Sequence, residues 1–289
     1  WSQVKKNPSL SSLLSWNRLQ KDLDAVARWA ADWRLDLNPS KCKAFRITLK
    51  KQFIDSSYKI NAVVLENVST IKDLGVVLDQ KLTFEAHINT TVSKANRALG
   101  LLIRTLQSAS RHCNFNKRSA LAAFNANVRS ILEYCSVIWA GAAKSHLVRV
   151  ERVQHRFLMW LASHTQPTCA SLDYDRLLAF FDVRSLRARR VQNDTMFLIK
   201  LFRGLISSSY LLQCFNLHVP CRVTRIAVST LFDVPRGRVN AVKSGLFLRL
   251  PGLANDFIAS SPTSDVFTEP IGTLKRDIAK FTATLEVFI

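Results

Sequence analysis

The chain has 289 residues, 48% of them hydrophobic and 21% charged, which is enough apolar material to bury a core and excludes a disordered chain. Its 41 lysines and arginines face only 21 acidic residues, and the formal charge of +20 predicts a polyanionic partner, nucleic acid ahead of an anionic membrane surface. No stretch approaches the roughly 20 consecutive apolar residues of a membrane-spanning helix, so no membrane partner is expected. The first residues carry no charged-then-apolar secretory signal, and a start at Trp1 reads as part of a longer reading frame.

In chain order, Asn17-Arg18-Leu19-Gln20 predicts a helix N-cap with a glutamine three residues on. Leu19, Leu23, Val26, Ala30 and Trp33 follow at steps of 4, 3, 4 and 3, one apolar stripe. The helix is predicted to stop near Leu37, because Asn38-Pro39 is a break signal. From Cys42 to Leu49 the pattern alternates, with Phe45, Ile47 and Leu49 on one side, and predicts a strand with one buried face. Short β-branched runs at 58–60, 63–65 and 71–79 predict a small antiparallel sheet, with Gly75 as a bulge or a close backbone approach.

From Thr83 the period changes. Phe84, Ile88, Val92, Ala95, Leu99, Leu102 and Leu106 predict one long amphipathic helix. A second is predicted over 116–139, with Leu121, Phe124, Val128, Ile131, Cys135 and Ile138 inward, a third over 145–162 and a fourth over 183–205. Beyond them Pro220, Pro235, Pro251, Pro262 and Pro270 punctuate a segment of poorer pattern, read as an irregular tail.

The six cysteines contain no C-x-x-C pair and suit buried thiols in a reducing compartment. Cys214, His218 and Cys221 cluster loosely but lack a fourth ligand, so no metal site is predicted. Trp29, Trp33, Trp139 and Trp160 could stack on bases, but they lie on or near apolar helix faces and read as core. Arg149, Arg152 and Arg156 recur at steps of 3 and 4, opposite Leu147, Val150, Phe157 and Leu161, and Arg184, Arg187, Arg189 and Arg190 crowd the next helix. Each stripe alone fits a solvated face. With +20 behind them they favour backbone phosphate, gripped by planar guanidinium forks without sequence selectivity.

The ordered segments resemble the C-terminal part of the reverse transcriptase of LINE-type (non-LTR, jockey-like) retrotransposons. LQKDLDAVARWAADWRLDLNPSKCKAFRI resembles the motif that follows the catalytic core, LQ-x-DL, W-x-x-x-W and L-x-L-N-x-x-K-C. DLGVVLDQKLTFEAHI, RSILEYCSVIWAG and RVERVQHRFLMWLAS are similar to the next three motifs, and SLRARRVQNDTMFLIKLFRG and RLPGLANDF to weaker ones beyond. The resemblance implies an α+β, mostly α fold. Residues 1–82 would be the end of a polymerase palm, a helix plus a small antiparallel sheet with a primer-grip-like hairpin. Residues 83–165 would be a helical thumb, and 166–289 a helical, irregular extension. Read from the residues alone, Lys41 is a lysine in a turn, a cap or a chemical group with equal reason. The resemblance implies that it donates a proton to leaving pyrophosphate, that Leu74 and Gly75 grip the primer end, and that the arginines track an RNA template paired with a DNA primer.

The departure from the family lies in the metal-binding aspartates: no adjacent Asp pair occurs. Mg²⁺ is expected for the complete parent enzyme and none for this chain, which is expected not to polymerise without the upstream palm and fingers. The parent element is expected inside the cell, in nucleus and cytoplasm. A free-standing or co-opted nucleic-acid-binding protein, or a decayed reading frame, is the alternative.

Overall fold

The computed structural model describes residues 10–49, 57–110, 116–165, 172–219, 230–237 and 244–287. The chain divides into two compact units, Trp1–Ala86 and His87–Ile289.

In the first unit, α1 spans Leu10–Asp32. It runs through Asn17, so the cap predicted there is an interior position. Gln20 instead docks the helix sideways. Its amide accepts from the backbone N–H of Lys59 and donates to the Lys59 carbonyl, both at 3.0 Å, as a neighbouring strand would. After Asn38, whose side chain accepts from the Ser40 N–H, one 3₁₀ turn, Pro39–Lys41, leads to β1, Lys43–Phe45. Five further short strands follow: β2 (Lys59–Ile60), β3 (Val63–Val64), β4 (Glu66–Val68), β5 (Thr70–Asp73) and β6 (Val76–Asp79). The predicted single antiparallel sheet is three two-stranded pieces. β2–β3 and β5–β6 are antiparallel hairpins, while β1 pairs with β4 in parallel, Ala44 opposite Asn67.

Both hairpins close on two residues of positive φ, Asn61-Ala62 (48° and 64°) and Leu74-Gly75 (43° and 90°), the primed turns whose twist matches paired strands. Gly75 is therefore a turn residue and not the bulge of one long strand. The predicted apolar faces are largely open in this unit. On α1 only Ala30 of the stripe is fully buried, Trp33 is 68% exposed, and Leu19, Val26 and Trp29 are exposed too. Ile47 and Leu49, expected inside, are exposed. Trp29 and Trp33 touch each other at 6.3 Å instead of entering a core.

The second unit is helical. Its elements are α2 (Glu85–Ser110, which begins at the boundary), α3 (Lys117–Phe124), α4 (Ser130–Glu133), α5 (Ser136–Trp139), α6 (Lys144–Thr165), α7 (Tyr174–Phe181), α8 (Leu186–Phe202), α9 (Ser209–Gln213), α10 (Leu246–Ser260) and α11 (Ile271–Val287). The long helix from 84 and the apolar face of the third helix fall where the periodicity put them. Ile88, Ala95, Leu99 and Leu102 are buried on α2, and Val150, Phe157 and Leu161 on α6.

The predicted helix over 116–139 is broken. A π turn, Asn125–Arg129, joins α3 to α4, and Cys135 at φ 50° separates α4 from α5. One surplus residue in a π turn displaces the inward face. Phe124, Val128, Leu132, Ser136 and Trp139 are buried, whereas Ile138, expected inward, is exposed.

Among the described residues, the segment read as an irregular tail supplies nine buried apolar side chains, packed around α8. α8 has ten buried residues out of seventeen and touches α5, α6, α9, α10 and α11. Its Met196 and Ile199 pack with Phe257, Leu274, Ile278 and Phe281, and its Leu198 and Leu201 with Phe215, Phe232, Leu250 and Ala254. Pro251 lies inside α10 and does not end it. The carbonyl it leaves without a helical donor belongs to Phe247, an exposed residue of the first turn, within reach of water. Asn255 pins a short bridge to α10, accepting from the N–H groups of Leu231 and Phe232 and donating to the Phe232 carbonyl.

Cys42, Cys135 and Cys214 are free thiols, and Cys113, Cys169, Cys221 and Pro220 lie outside the described residues. Among the described residues no helix is long and apolar enough to cross a membrane.

A Cβ built on Gly141 would lie 2.0 Å from the Ser244 carbonyl oxygen and 2.5 Å from the Arg249 guanidinium. Gly141→Ala should therefore destabilise the helical unit by about 2 kcal/mol, read as a lower urea midpoint with an unchanged slope.

Candidate nucleic-acid interface

The charged face of α6 forms as its spacing implies. Leu147, Val150, Phe157 and Leu161 turn inward, with Phe157 stacked on Phe124 at 4.3 Å, which leaves Arg149, Arg152 and Arg156 on the opposite side. Arg152 and Arg156 are exposed and Arg149 half-buried. Two of the three are held by α2: Arg149 donates to the side-chain oxygen of Asn89, and Arg156 to that of Asn96 at 3.0 Å. Arg149 also meets His146 at 3.3 Å.

The arginines near the start of α8 do not form one cluster. Arg187 is exposed. Arg189 is clamped by both carboxylate oxygens of Glu133. Arg190, expected on nucleic acid, is an interior residue: it is 4% exposed, pairs with Glu151 at 3.0 Å and lies 5.9 Å from the Trp139 ring. A guanidinium so enclosed cannot reach a phosphate, and Arg190 leaves the binding set.

Arg190 belongs to a buried line of alternating charge. Glu151 on α6 pairs with Arg190 on α8; Asp194, one turn further along α8, is 1% exposed and pairs with Arg249 of α10 at 2.9 Å. Glu151 also accepts from the Tyr174 hydroxyl and from the Leu186 N–H at the start of α8. Arg249 donates further to the carbonyls of Ser244 and Val137. Burial pushes the Asp194 carboxyl up to about 6, with Arg249 and then Arg190 opposing the rise.

Several motif residues build this scaffold. Gln154, fully buried, donates to Tyr174 and to the Arg184 carbonyl, tying α6 to α7 and to the entry of α8. His87 packs on Trp139, with ring centroids 5.9 Å apart; burial, with Lys94 adding to it, holds its pKa below the ordinary value. Trp139 donates to the Tyr134 carbonyl.

In the first unit, Lys41 is the last residue of the 3₁₀ turn and is exposed, with its N–H bonded to the Asn38 carbonyl. Leu74 and Gly75 form the tip of the β5–β6 hairpin, and Leu74 is 85% exposed in a left-handed conformation that branched side chains avoid. Lys41 and that tip stand on separate turns. At the other end of β6, Asp79 organises the descent toward α2. Its carboxylate accepts from the N–H groups of Lys81, Thr83 and Phe84 and from the Thr83 hydroxyl. Burial works against the charged form, but these donors hold it below the usual carboxylate range.

Sequence reasoning missed Asn89, Asn96, Glu151, Asp194 and Arg249. The seven-residue interval from Asn89 to Asn96 matches that from Arg149 to Arg156, a signal that only the pairing of two helices makes readable. The acidic pair was legible only as counter-charge to arginines taken to face solvent.

The chain is similar to RNA-directed DNA polymerases of jockey-like and other non-LTR retrotransposons of Drosophila. It is 31% identical over 139 residues to the probable RNA-directed DNA polymerase from transposon BS of Drosophila melanogaster, 48% of this chain and 15% of that protein. It is 29% identical over 154 residues to the RNA-directed DNA polymerase from mobile element jockey of the same organism, 52% of this chain and 16% of that one. A third relative, the probable RNA-directed DNA polymerase from transposon X-element, is 28% identical over 130 residues, 45% of this chain and 14% of the relative. The chain thus matches a small part of much longer relatives. No family model and no solved structure matches it.

The residues present do not fit a Mg²⁺ pair: among the described residues no group of three or more His, Cys, Asp or Glu could hold a metal ion, and the sequence has no adjacent aspartates.

Glu151→Ala strands Arg190 in the interior and should cost about 3 kcal/mol or more in urea unfolding, whereas Arg152→Ala on the exposed face should stay within about 0.5 kcal/mol. Asp194 has a folded pKa raised above 3.8, so its contribution is fully present below about pH 4 and is lost as pH rises through about 6. Parent stability should fall over that window by roughly 3 kcal/mol more than that of Asp194→Asn, read as thermal midpoints between pH 4 and 7.

Proposed function

We propose that this chain is the C-terminal part of a non-LTR retrotransposon reverse transcriptase and that its helical unit holds template–primer nucleic acid. The observation that carries this reading is the arginine face of α6, Arg149, Arg152 and Arg156, in a chain of charge +20 that is similar to RNA-directed DNA polymerases. A row of guanidinium forks on one rigid helix binds successive phosphates and reads no base edge, as a polymerase that copies any template requires. Arg187 extends the basic surface. The ligand is an RNA template paired with a DNA primer.

The first unit supplies the end of the palm in this reading, and the helices that follow supply the thumb and its extension. The Leu74-Gly75 tip presents an apolar side chain and a bare backbone to the primer end. Lys41, on an exposed turn, gives a proton to the pyrophosphate leaving group. The open faces of α1 and of Ile47 and Leu49 receive the remaining palm and fingers, which also bring the aspartates and the Mg²⁺ ions they hold. The complete element acts inside the cell, in cytoplasm and nucleus. The isolated chain binds without catalysing nucleotide addition.

Affinity for an RNA–DNA hybrid, measured by fluorescence anisotropy over a range of salt, should give a log–log slope of about −3 or steeper, one phosphate for each of the three arginines. A flat slope overturns the reading. Nucleotide incorporation by this chain alone, with Mg²⁺ and a primed template, overturns the proposed division of labour.

A further inference from the structure

The two bonds between α2 and α6 share one arithmetic. Asn89 meets Arg149 and Asn96 meets Arg156, each across a separation of 60 residues. A constant offset means that the two helices run parallel and in register over two turns. Seven residues advance a helix by about 10.5 Å, about three base-pair rises of ~3.4 Å along the axis of a B-form duplex. Both bonds lie at the exposed edge, where neither partner is needed to satisfy a buried group. Each asparagine engages its arginine through the side-chain oxygen and keeps its own amide N–H groups as donors. Arg156 uses one terminal nitrogen on Asn96, and its side chain is on the exposed face of α6.

We infer that Asn89 and Asn96 are positioning residues for nucleic-acid binding: they hold the guanidiniums of Arg149 and Arg156 at a fixed spacing two helix turns apart along the bound phosphate backbone, with Arg152 between them. This rests on the phosphate-binding reading of α6 proposed above. The physical gain is pre-organisation. A free arginine loses rotamer freedom on meeting a phosphate, and one already tethered to a neutral amide has lost it beforehand. Neutrality matters, because a carboxylate at either position would hold the arginine equally well but cancel the charge meant for the ligand. The contrast with Glu133 and Glu151, which take Arg189 and Arg190 out of service, lies within the same unit.

The salt titration of the full chain on an RNA–DNA hybrid separates the roles. The double variant Asn89→Ala/Asn96→Ala should bind about tenfold more weakly, two- to tenfold per released arginine, with an unchanged salt slope and an unchanged thermal midpoint. Asn89→Asp/Asn96→Asp should flatten the slope by about 2, one phosphate for each neutralised arginine. Arg149→Ala/Arg156→Ala should flatten it by a similar amount. The inference is overturned if the alanine pair binds within twofold of the parent, if its slope falls with its affinity, or if its thermal midpoint drops in step with binding. A parent chain with a flat slope removes the phosphate-binding reading itself, and this inference with it.

Discussion

The helical unit is organised around a charge problem solved inside the protein. Arg190 on α8 is enclosed by α6 and Trp139, and a guanidinium in that position is tolerable only because Glu151 meets it. Asp194, a turn away on the same helix, is tolerable because Arg249 reaches it from α10. The sequence order of the line is Glu151, Arg190, Asp194, Arg249, and each step crosses from one element to another or along one turn of α8. A row of leucines would hold these helices together as firmly. Leucines would slide, however, whereas a carboxylate with three directed donors admits one register. Glu151 fixes α6 against α7 and the start of α8 in one group, and the helices that carry the exposed arginines inherit their geometry from it.

This division of arginines explains much of what the sequence concealed. Arg149, Arg152, Arg156, Arg187, Arg189 and Arg190 look alike as letters, and spacing alone puts them all on basic helix faces. Burial divides them, and burial depends on what another helix brings alongside. The α6 row was legible because its opposite face, Val150, Phe157 and Leu161, is plainly apolar. The α8 row was not, because ten of the seventeen residues of α8 are buried, Arg190 among them, and Arg187 alone of the row is exposed. The segment after Ser207 was misread for a related reason. Proline density suggested irregularity, yet Pro251 sits inside α10, where the one carbonyl it leaves without a donor is that of the exposed Phe247, and α10 and α11 close the core.

The first unit shows the complementary limit. Its local signals were partly sound: Asn38-Pro39 opens a turn, Asn61 sits in one and the strand runs fall near their expected places, but Asn17 is interior to α1, α1 ends at Asp32 before Leu37, and Gly75 closes a hairpin. What periodicity could not supply was the partner of each face. Phe45, Ile47 and Leu49 alternate as a half-buried strand should, but only Lys43–Phe45 pairs, and it pairs in parallel with a strand more than twenty residues away. α1 likewise carries an apolar stripe, while the contact that docks it comes from Gln20 on another side. Alternation reports what a segment is suited to bury, not what covers it.

The π turn at Asn125–Arg129 acts as a phase shifter between two halves of one helical run. Upstream of it the inward direction is set by Phe124; downstream the same direction falls on Leu132, Ser136 and Trp139, and so brings Trp139 to His87 and Arg190. Evening that turn into α-helix with all its residues kept would rotate everything after it by about 100°, sending Trp139 toward solvent and Ile138 toward the core, whereas removing one residue from it would restore an even helix with Trp139 still inward. A single-residue deletion confined to this turn is thus a change of length, not of aim, and the inward face after it is kept.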